Sequence, residues 1–587
     1  MRILLLASAF NSLTQRVFTE LVDRGHAVAV ELALVTEPGG GPAEAVRRHG
    51  PDLVVAPMLT SVLPPEAWSA VPCLIVHPGP PGDRGPSSLD RALTDGVREW
   101  GVTVLQAEAE LDAGPVWASA AFPVPPGVGK SELYRGELAD AAVGAVLEAV
   151  GRFAAGEGPR GAAAWPGTGW RPVLRQEGRR IDWERDPTEA VLRRLRAADS
   201  RPGVLDAFCG GEWYLHGGHP EDGLRGRPGE LLATRDGAVC RATVDGAVWI
   251  PELRARRRPQ SPPTWRLPAT LALGERLPAD VPEVPAPLWP APEAEVSEGS
   301  CGGRTWSDIR YAEEGSAGFL RFGFPGGAMS TGRCRRLLAA YRFACSRPTD
   351  VLVLGPERDF FSNGIHLGVI EAAADPAAES WANIQAIDDL VEAVVTTTDR
   401  LVVAALPGNA AAGGVMAALA ADEVWCRDGA VLNPHYRLMG LSGSELWTYL
   451  LPRRVGAEAA RRFTESALPV SARTALAAGL VDRVLPTAPG EFAGEVARLA
   501  GRLTRSAQLS ARVAEKKALR ERDEALRPLA RYRADELTAM RRTFFDPRAP
   551  YHALRSDFVR KARPARTPEH LARWTSAGHT ASRVSDL

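Results

Sequence analysis

Val351-Leu352-Val353-Leu354, then Phe360-Phe361-Ser362-Asn363-Gly364-Ile365-His366-Leu367, then Leu401-Val402-Val403-Ala404-Ala405-Leu406 running into Pro407-Gly408-Asn409-Ala410-Ala411-Ala412-Gly413-Gly414-Val415-Met416, decide the fold of the second half of the chain. Both apolar runs are short enough for buried strands, and both end in small residues. In the second, glycine permits a sharp turn into a small-residue helix, read as Val415 to Ala421 and closed by Asp422. A peptide N–H at such a strand-to-helix turn points outward and can bind an oxyanion. Two such turns face to face make an oxyanion hole.

These motifs resemble the crotonase (enoyl-CoA hydratase/isomerase) superfamily over roughly Thr305 to Leu485. The resemblance implies that Asn363 and Gly413 supply the two backbone N–H groups of the hole to an acyl-CoA carbonyl. Hydratases of that superfamily carry a catalytic glutamate where this chain has Met416, and a second near Pro434-His435. Methionine cannot move a proton, so water addition to an enoyl-CoA is not expected. A site that holds an acyl thioester remains, with other residues for the chemistry.

Asn433-Pro434-His435-Tyr436-Arg437 to Ser444-Glu445 lies where the second catalytic group is expected. Glu445 is the one carboxylate in that stretch and Tyr436 the one phenol, so Glu445 is assigned proton removal and Tyr436 positioning or protonation. The structural alternative has Tyr436 packing in the core and Glu445 capping a helix that begins at Ser444.

The front of the chain alternates strand and helix patterns. Strands are predicted at Ile3–Ala7, Val28–Leu34, Leu53–Ala56, Leu74–Val76 and Val102–Gln106, and helices at Leu13–Arg24, Pro42–Arg48 and Lys130–Phe153. The alternation predicts a doubly wound parallel sheet with ligands at the carboxyl ends of its strands. No Gly-x-Gly-x-x-Gly follows the first strand, and Gly127-Val128-Gly129-Lys130-Ser131 lacks the first glycine of a P-loop, so neither a dinucleotide nor a nucleotide-phosphate site is supported.

His77 leaves the fourth strand into Pro78-Gly79-Pro80-Pro81-Gly82-Asp83-Arg84-Gly85-Pro86, and Glu110-Leu111-Asp112-Ala113-Gly114 follows the next strand. An imidazole oriented by a carboxylate suits general acid/base work. In order and spacing, His77, Arg84-Gly85 and Leu111-Asp112-Ala113-Gly114 resemble the 10-formyltetrahydrofolate-dependent formyltransferases, a likeness implying His77 and Asp112 as catalytic and Arg84, Gly85 and Gln106 as folate contacts. The family's asparagine before the histidine is replaced by Ile75, and Asn11, after the first strand, is the candidate substitute. Arg179-Arg180-Ile181-Asp182-Trp183 and the sequence beyond it resemble the small β-rich, OB-like tail domain of those transferases.

The two-module order, with the His-Pro-Gly loop in front and Asn-Pro-His-Tyr behind, resembles the HypX/HoxX hydrogenase maturation proteins over nearly the whole chain. That resemblance implies 10-formyltetrahydrofolate and coenzyme A as substrates, formyl transfer to CoA, and decarbonylation of formyl-CoA to carbon monoxide. Hydrogenase maturation proteins are the candidate protein partners. Two alternatives stand beside it: a formyltransferase acting on an amine with a non-catalytic CoA-binding rear domain, and a non-enzymatic maturation scaffold.

The resulting map is α/β and multidomain: a formyltransferase-like domain over 1–165, a β-rich domain over 166–260, a proline-rich linker over 261–300, a crotonase-like domain over 301–505 and a helical extension over 506–587. Arg541 and Arg542 in that extension, with Lys561, are candidates for the phosphates of CoA, whereas Arg256-Arg257-Arg258 reads as a solvated face. The extension's polar helix, Leu509 to about Met540, reads as a cover for a domain or partner, and the residues from Thr575 on as frayed. A net charge of −1 gives no drive toward nucleic acid. No apolar run approaches the ~20 residues of a membrane span. Seven scattered cysteines without a Cys-x-x-Cys pair indicate neither a metal site nor a disulfide framework. The expectation is a cytoplasmic chain acting on small molecules.

Overall fold

Ile3 to Ala7 are wholly buried, the mark of a central strand covered on both faces. In the computed structural model, which describes residues 1–34, 41–286, 288 and 304–576, this strand (β1, Arg2–Ala7) lies inside a six-stranded sheet. The others are β2 (Ala27–Leu32), β3 (Leu53–Met58), β4 (Cys73–His77), β5 (Glu99–Gln106) and β6 (Val116–Pro123), in the order β2-β1-β3-β4-β5-β6. The first four are parallel, as the sequence predicts, while β5 and β6 run antiparallel to their neighbours. β6 escaped the sequence reading because Val-Trp-Ala-Ser-Ala-Ala-Phe-Pro is dominated by small side chains. The helix expected over Lys130–Phe153 is two, Lys130–Arg135 and Glu137–Ala154, because Gly136 adopts φ −98°, ψ −103° between them.

The sheet belongs to one of two compact units, Met1–Gly178 with Leu468–Thr474 and the described residues from Ala562 on. Thr575, expected to be frayed, exchanges two backbone hydrogen bonds with Val28 at 2.8 Å each, and residues 577–587 lie outside the described residues.

The other unit comprises Arg179–Ala467 and Ala475–Lys561. It begins with β7 (Val204–Phe208), β8 (Gly211–His216), β9 (His219–Glu221), β10 (Leu231–Arg235), β11 (Ala238–Ala242), β12 (Ala247–Ile250), β13 (Glu252–Ala255) and β14 (Leu267–Pro268). These make two four-stranded sheets, β10-β11-β12-β9 and β14-β13-β8-β7, rather than one closed barrel. Pro251 separates β12 from β13 and hands the chain from one sheet to the other. Val191, Leu192, Leu195, Trp213, Val239 and Leu253 fill the core, each of the aliphatic ones worth about 1.5–3 kcal/mol of burial. Part of the stretch expected as a linker from residue 261 belongs to this core instead, since Ala269 and Leu273 are buried in it. Residues 287 and 289–303 lie outside the described residues.

Next come β15 (Ile309–Glu314), β16 (Ala317–Phe322), β17 (Val351–Leu354), β18 (Leu401–Leu406), β19 (Ala410–Ala411), β20 (Glu423–Arg427) and β21 (Val431–Asn433). A second six-stranded sheet has the order β15-β16-β17-β18-β20 and then the strand Arg483–Leu485, parallel apart from the β15–β16 hairpin. Three helices, Thr331–Ser346, Pro376–Thr396 and Gly413–Leu419, connect its successive parallel strands. β19 pairs with β21 beside it. The polar helix read as one is two, Leu509–Leu526 and Leu529–Phe545, broken where Pro528 supplies no N–H and Arg527 is extended. Among the described residues no helix is long and apolar enough to cross a membrane.

Candidate active sites

His77 ends β4 with its ring buried. Its Nε2 lies 3.0 Å from Asp83 Oδ2, and its Nδ1 lies 3.6 Å from Asp112 Oδ1. Asp83 Oδ1 accepts from Arg171 Nη2 at 2.7 Å. Burial pushes the Asp83 carboxyl up, but hydrogen bonds from His77, Ser88 and Arg171 outweigh it and hold the group below the usual range. Gly79 is required by this packing, since a Cβ there would stand 2.2 Å from Asp83 Oδ2 and 2.6 Å from His77 Nε2. Asp112 Oδ2 accepts the Gly85 N–H at 3.0 Å, which ties the loop after β5 to the loop after β4. An imidazole between two carboxylates can take a proton on one nitrogen while the other is held.

Three of the predicted front residues thus come together, His77, Asp112 and Gly85, while Arg84 ion-pairs with Glu110 at 2.7 Å. Gln106 is engaged by Trp117, whose indole donates to Oε1 at 3.2 Å. Asn11 does not offer a free amide in place of the missing asparagine. Its Oδ1 caps the helix Ser12–Asp23 through Thr14 N, and its Nδ2 donates to Tyr134 Oη, both at 3.0 Å. Asp83 was quoted in the motif without a role, and nothing local in the sequence marks Arg171, 88 residues further on.

In the rear site the two glycine-bearing loops meet. Ala411 N donates to Ser362 O at 2.9 Å, and a Cβ on Gly364 would lie 3.3 Å from Gly413 N. Gly413 opens the helix Gly413–Leu419, where the first N–H groups have no intrahelical acceptor. Asn363, expected to be the second oxyanion donor, gives its backbone N–H to Gly327 O at 2.7 Å and its amide to Gly326 O at 2.8 Å. The turn at Gly326-Gly327 takes up that donor, whereas the Gly413 N–H has no acceptor among the described residues.

Glu445 stands against Gly413: a Cβ on that glycine would be 2.2 Å from Glu445 Oε1. Tyr436 Oη donates to Glu445 Oε2 at 2.8 Å, while Oε1 accepts no hydrogen bond among the described residues. The helix beyond begins at Trp447 rather than at Ser444, and Glu445 is not its cap. Glu445 and Leu446 have φ of 61° and 56°, a region that L-residues occupy only under constraint. Both Glu445 and Asp388 are fully enclosed, and burial, reinforced by each other's charge, holds the Glu445 carboxyl well above the usual range. Tyr436 is pushed far up by burial and by Glu445. Glu536, on the helix Leu529–Phe545, is raised to about 7 by burial. Met416 is entirely buried. The arrangement is a carboxyl of high proton affinity with one free oxygen, backed by a phenol.

Asp388 and Glu536 were missed. Asp388 carried a legible signal, an acid within the apolar spacing Ile384, Ile387, Val391, Val394. Arg541 and Arg542 are exposed, and Arg541 stacks on Trp381 and Phe545 at 5.3 and 5.1 Å rather than joining the acid group. Lys561 is surface-exposed, and packing around its ammonium, then the charges of Arg266 and Arg201, lower its pKa. Arg256, Arg257 and Arg258 line an open cavity of about 1410 Å³ with Arg276.

Residues 41–150 match the formyl transferase family, 173–265 the formyl transferase C-terminal domain, and 339–548 the enoyl-CoA hydratase/isomerase family. Hydrogenase maturation factor HoxX of Bradyrhizobium diazoefficiens is 46% identical over 100% of this chain and 98% of its own. A methionyl-tRNA formyltransferase of Roseiflexus castenholzii is 31% identical over 34% of this chain and 65% of its own. The crystal structure of HypX from Aquifex aeolicus in complex with tetrahydrofolic acid superposes with a TM-score of 0.91 at 43% identity, over 97% of this chain and 98% of that one.

Proposed function

The chain belongs to the HoxX/HypX hydrogenase maturation factors, with formyl transferase modules ahead of an enoyl-CoA hydratase/isomerase-like module, and from that premise we propose that it makes carbon monoxide by way of formyl-CoA. The His77 group takes its formyl unit from 10-formyltetrahydrofolate, a reading supported by the folate bound to the Aquifex relative. The CoA sulfur attacks the formyl carbon, the C–N bond breaks, and the thiol proton passes through His77 to the departing folate nitrogen, with Asp112 and Asp83 holding the ring.

At the rear site Glu445 Oε1 removes the formyl hydrogen as a proton, and the C–H electron pair stays on carbon as carbon monoxide forms. The C–S pair leaves with sulfur, which takes the Tyr436 proton, and Glu445 returns its proton to the phenolate across their 2.8 Å contact. The products are carbon monoxide and CoA thiol, with no change in oxidation state overall. The observation that carries this reading is the buried, phenol-backed carboxyl lying against Gly413. Lys561, an exposed ammonium near Arg201 and Arg266, is the candidate contact for the phosphates of CoA.

The test is incubation of the purified chain with 10-formyltetrahydrofolate and CoA, with carbon monoxide read by a haem protein. Equal amounts of carbon monoxide and tetrahydrofolate are expected, and none when CoA is omitted. Formyl transfer to an added amine without carbon monoxide would replace this reading with an amine formyltransferase.

A further inference from the structure

Asp388 is a carboxyl on a core-facing position of the helix Pro376–Thr396, fully buried, where an apolar side chain would pack at less cost. Its Oδ1 accepts two hydrogen bonds, from Glu445 N at 2.7 Å and from Ser444 Oγ at 2.9 Å. Both come from the turn in which Glu445 and Leu446 adopt positive φ. Among the described residues Asp388 Oδ2 has no hydrogen-bond partner, and Arg533 Nε stands 3.9 Å from it. One oxygen therefore pins the strained turn, and the other leaves a negative charge incompletely matched beside Glu445.

We propose that Asp388 is the positioning residue of the rear site, holding Glu445 in the strained conformation that aims Oε1 at Gly413 and, as a second negative charge, making Glu445 the stronger base. The inference rests on the reading of Glu445 as the group that removes the formyl proton. Several elements packed around the pair contribute a charge or a titratable group, whereas the helix Gly413–Leu419 contributes none. Tyr436 faces Glu445 from the turn after β21, Cys334 from the helix Thr331–Ser346, and Glu536 from the helix Leu529–Phe545. Arg533 faces Asp388 from that last helix, and Asp389 stands beside it on its own. Burial raises Asp388 and Glu445 alike; Arg533 opposes this at Asp388 and Tyr436 at Glu445, while Glu536 and the mutual repulsion of the pair add to it at Glu445.

The experiment supplies formyl-CoA directly to the full chain and follows carbon monoxide release against pH for wild type, Asp388→Asn, Asp388→Ala and Glu445→Gln. Asn at 388 keeps an acceptor for both hydrogen bonds and removes the charge, so the acid limb of the kcat profile moves to lower pH by about one unit while plateau kcat falls about tenfold. Ala at 388 releases the turn, so kcat falls about 100-fold at every pH, with KM for formyl-CoA within about twofold of wild type. An Asp388→Asn enzyme with the wild-type limb, or an Asp388→Ala enzyme with wild-type kcat, overturns the inference. If Glu445→Gln releases carbon monoxide at the wild-type rate, it is the underlying assignment of the base that fails. Should Asp388→Ala not fold, the pH profile of Asp388→Asn decides the question alone.

Discussion

Replacing Gly413 with alanine tests the rear site at its closest approach. The added Cβ would stand 2.2 Å from Glu445 Oε1 and 2.5 Å from its carboxyl carbon, where ordinary contact begins at 3.4 Å. The shortfall at oxygen is 3.4 − 2.2 = 1.2 Å. The helix Gly413–Leu419 is buried on nearly every side and cannot retreat freely, so the carboxylate has to move. Moving it stretches the 2.8 Å bond from Tyr436 and pulls on a backbone already at φ 61°. A misplacement of about 1 Å in a reacting group costs about 100-fold in rate, or about 2.7 kcal/mol on the barrier. Overpacking adds an independent stability loss of about 1–3 kcal/mol. Carbon monoxide release from formyl-CoA in a single turnover reads the first, and a thermal melt reads the second. A folded Gly413→Ala variant that releases carbon monoxide within about threefold of wild type refutes the placement of Glu445 as the base.

Tyr436→Phe removes the phenolic donor to Glu445, which costs about 1.5–3 kcal/mol of carboxylate stabilisation and about 10–100-fold in kcat; because that bond lowers the Glu445 pKa, the acid limb of the profile moves to higher pH, visible in the same formyl-CoA assay. Glu536 is raised from 4.5 to about 7, so its contribution to stability is fully present below pH 4.5 and is lost as pH rises through 7, a loss of about 3 kcal/mol. Glu536→Gln is therefore expected to raise the urea midpoint at pH 8.5 and leave it nearly unchanged near pH 5. Asp83→Asn takes the charge from beside His77 and lowers formyl transfer from 10-formyltetrahydrofolate to CoA about 100-fold, a defect that supplied formyl-CoA bypasses. Lys561→Ala removes one of three neighbouring cations and raises KM for CoA about tenfold, measured by carbon monoxide output at saturating folate.

What could be read from the sequence was local. The apolar runs at Val351 and Leu401 become β17 and β18, the glycine turn follows β18, and Tyr436 and Glu445, nine residues apart, end within hydrogen-bond distance. What could not be read was set by distant partners. Asn363 keeps the right residue spacing for an oxyanion donor, yet its N–H goes to Gly327, 36 residues back, whose φ of 67° turns its carbonyl toward it. Asn11 sits after the first strand as the motif requires, but an asparagine just before a helix caps it, and the cap uses the oxygen that a substitute would need. Arg171 reaches Asp83 across 88 residues, a pairing that no spacing rule encodes.

Strain and buried charge concentrate at one place in the rear unit. Ala412, Glu445 and Leu446 have φ of 48°, 61° and 56°, and Asp388, Glu445 and Glu536 are carboxyls raised by burial. Each feature costs stability: about 1–3 kcal/mol for a strained residue, and about 3 kcal/mol above pH 7 for Glu536 alone. A fold selected only to stand would fill these positions with apolar side chains and a relaxed turn. The residues instead converge on a carboxylate oxygen that accepts no hydrogen bond among the described residues and lies against Gly413. The proposed decarbonylation would make use of such an enclosed site, because the proton taken from carbon is returned to sulfur and no net proton has to enter or leave. The same enclosure excludes the water that would hydrolyse a formyl thioester to formate. Opening the cluster with Asp388→Ala is therefore expected to divert part of the supplied formyl-CoA from carbon monoxide to formate. If the two products keep the wild-type ratio while both slow together, enclosure is not what protects the thioester.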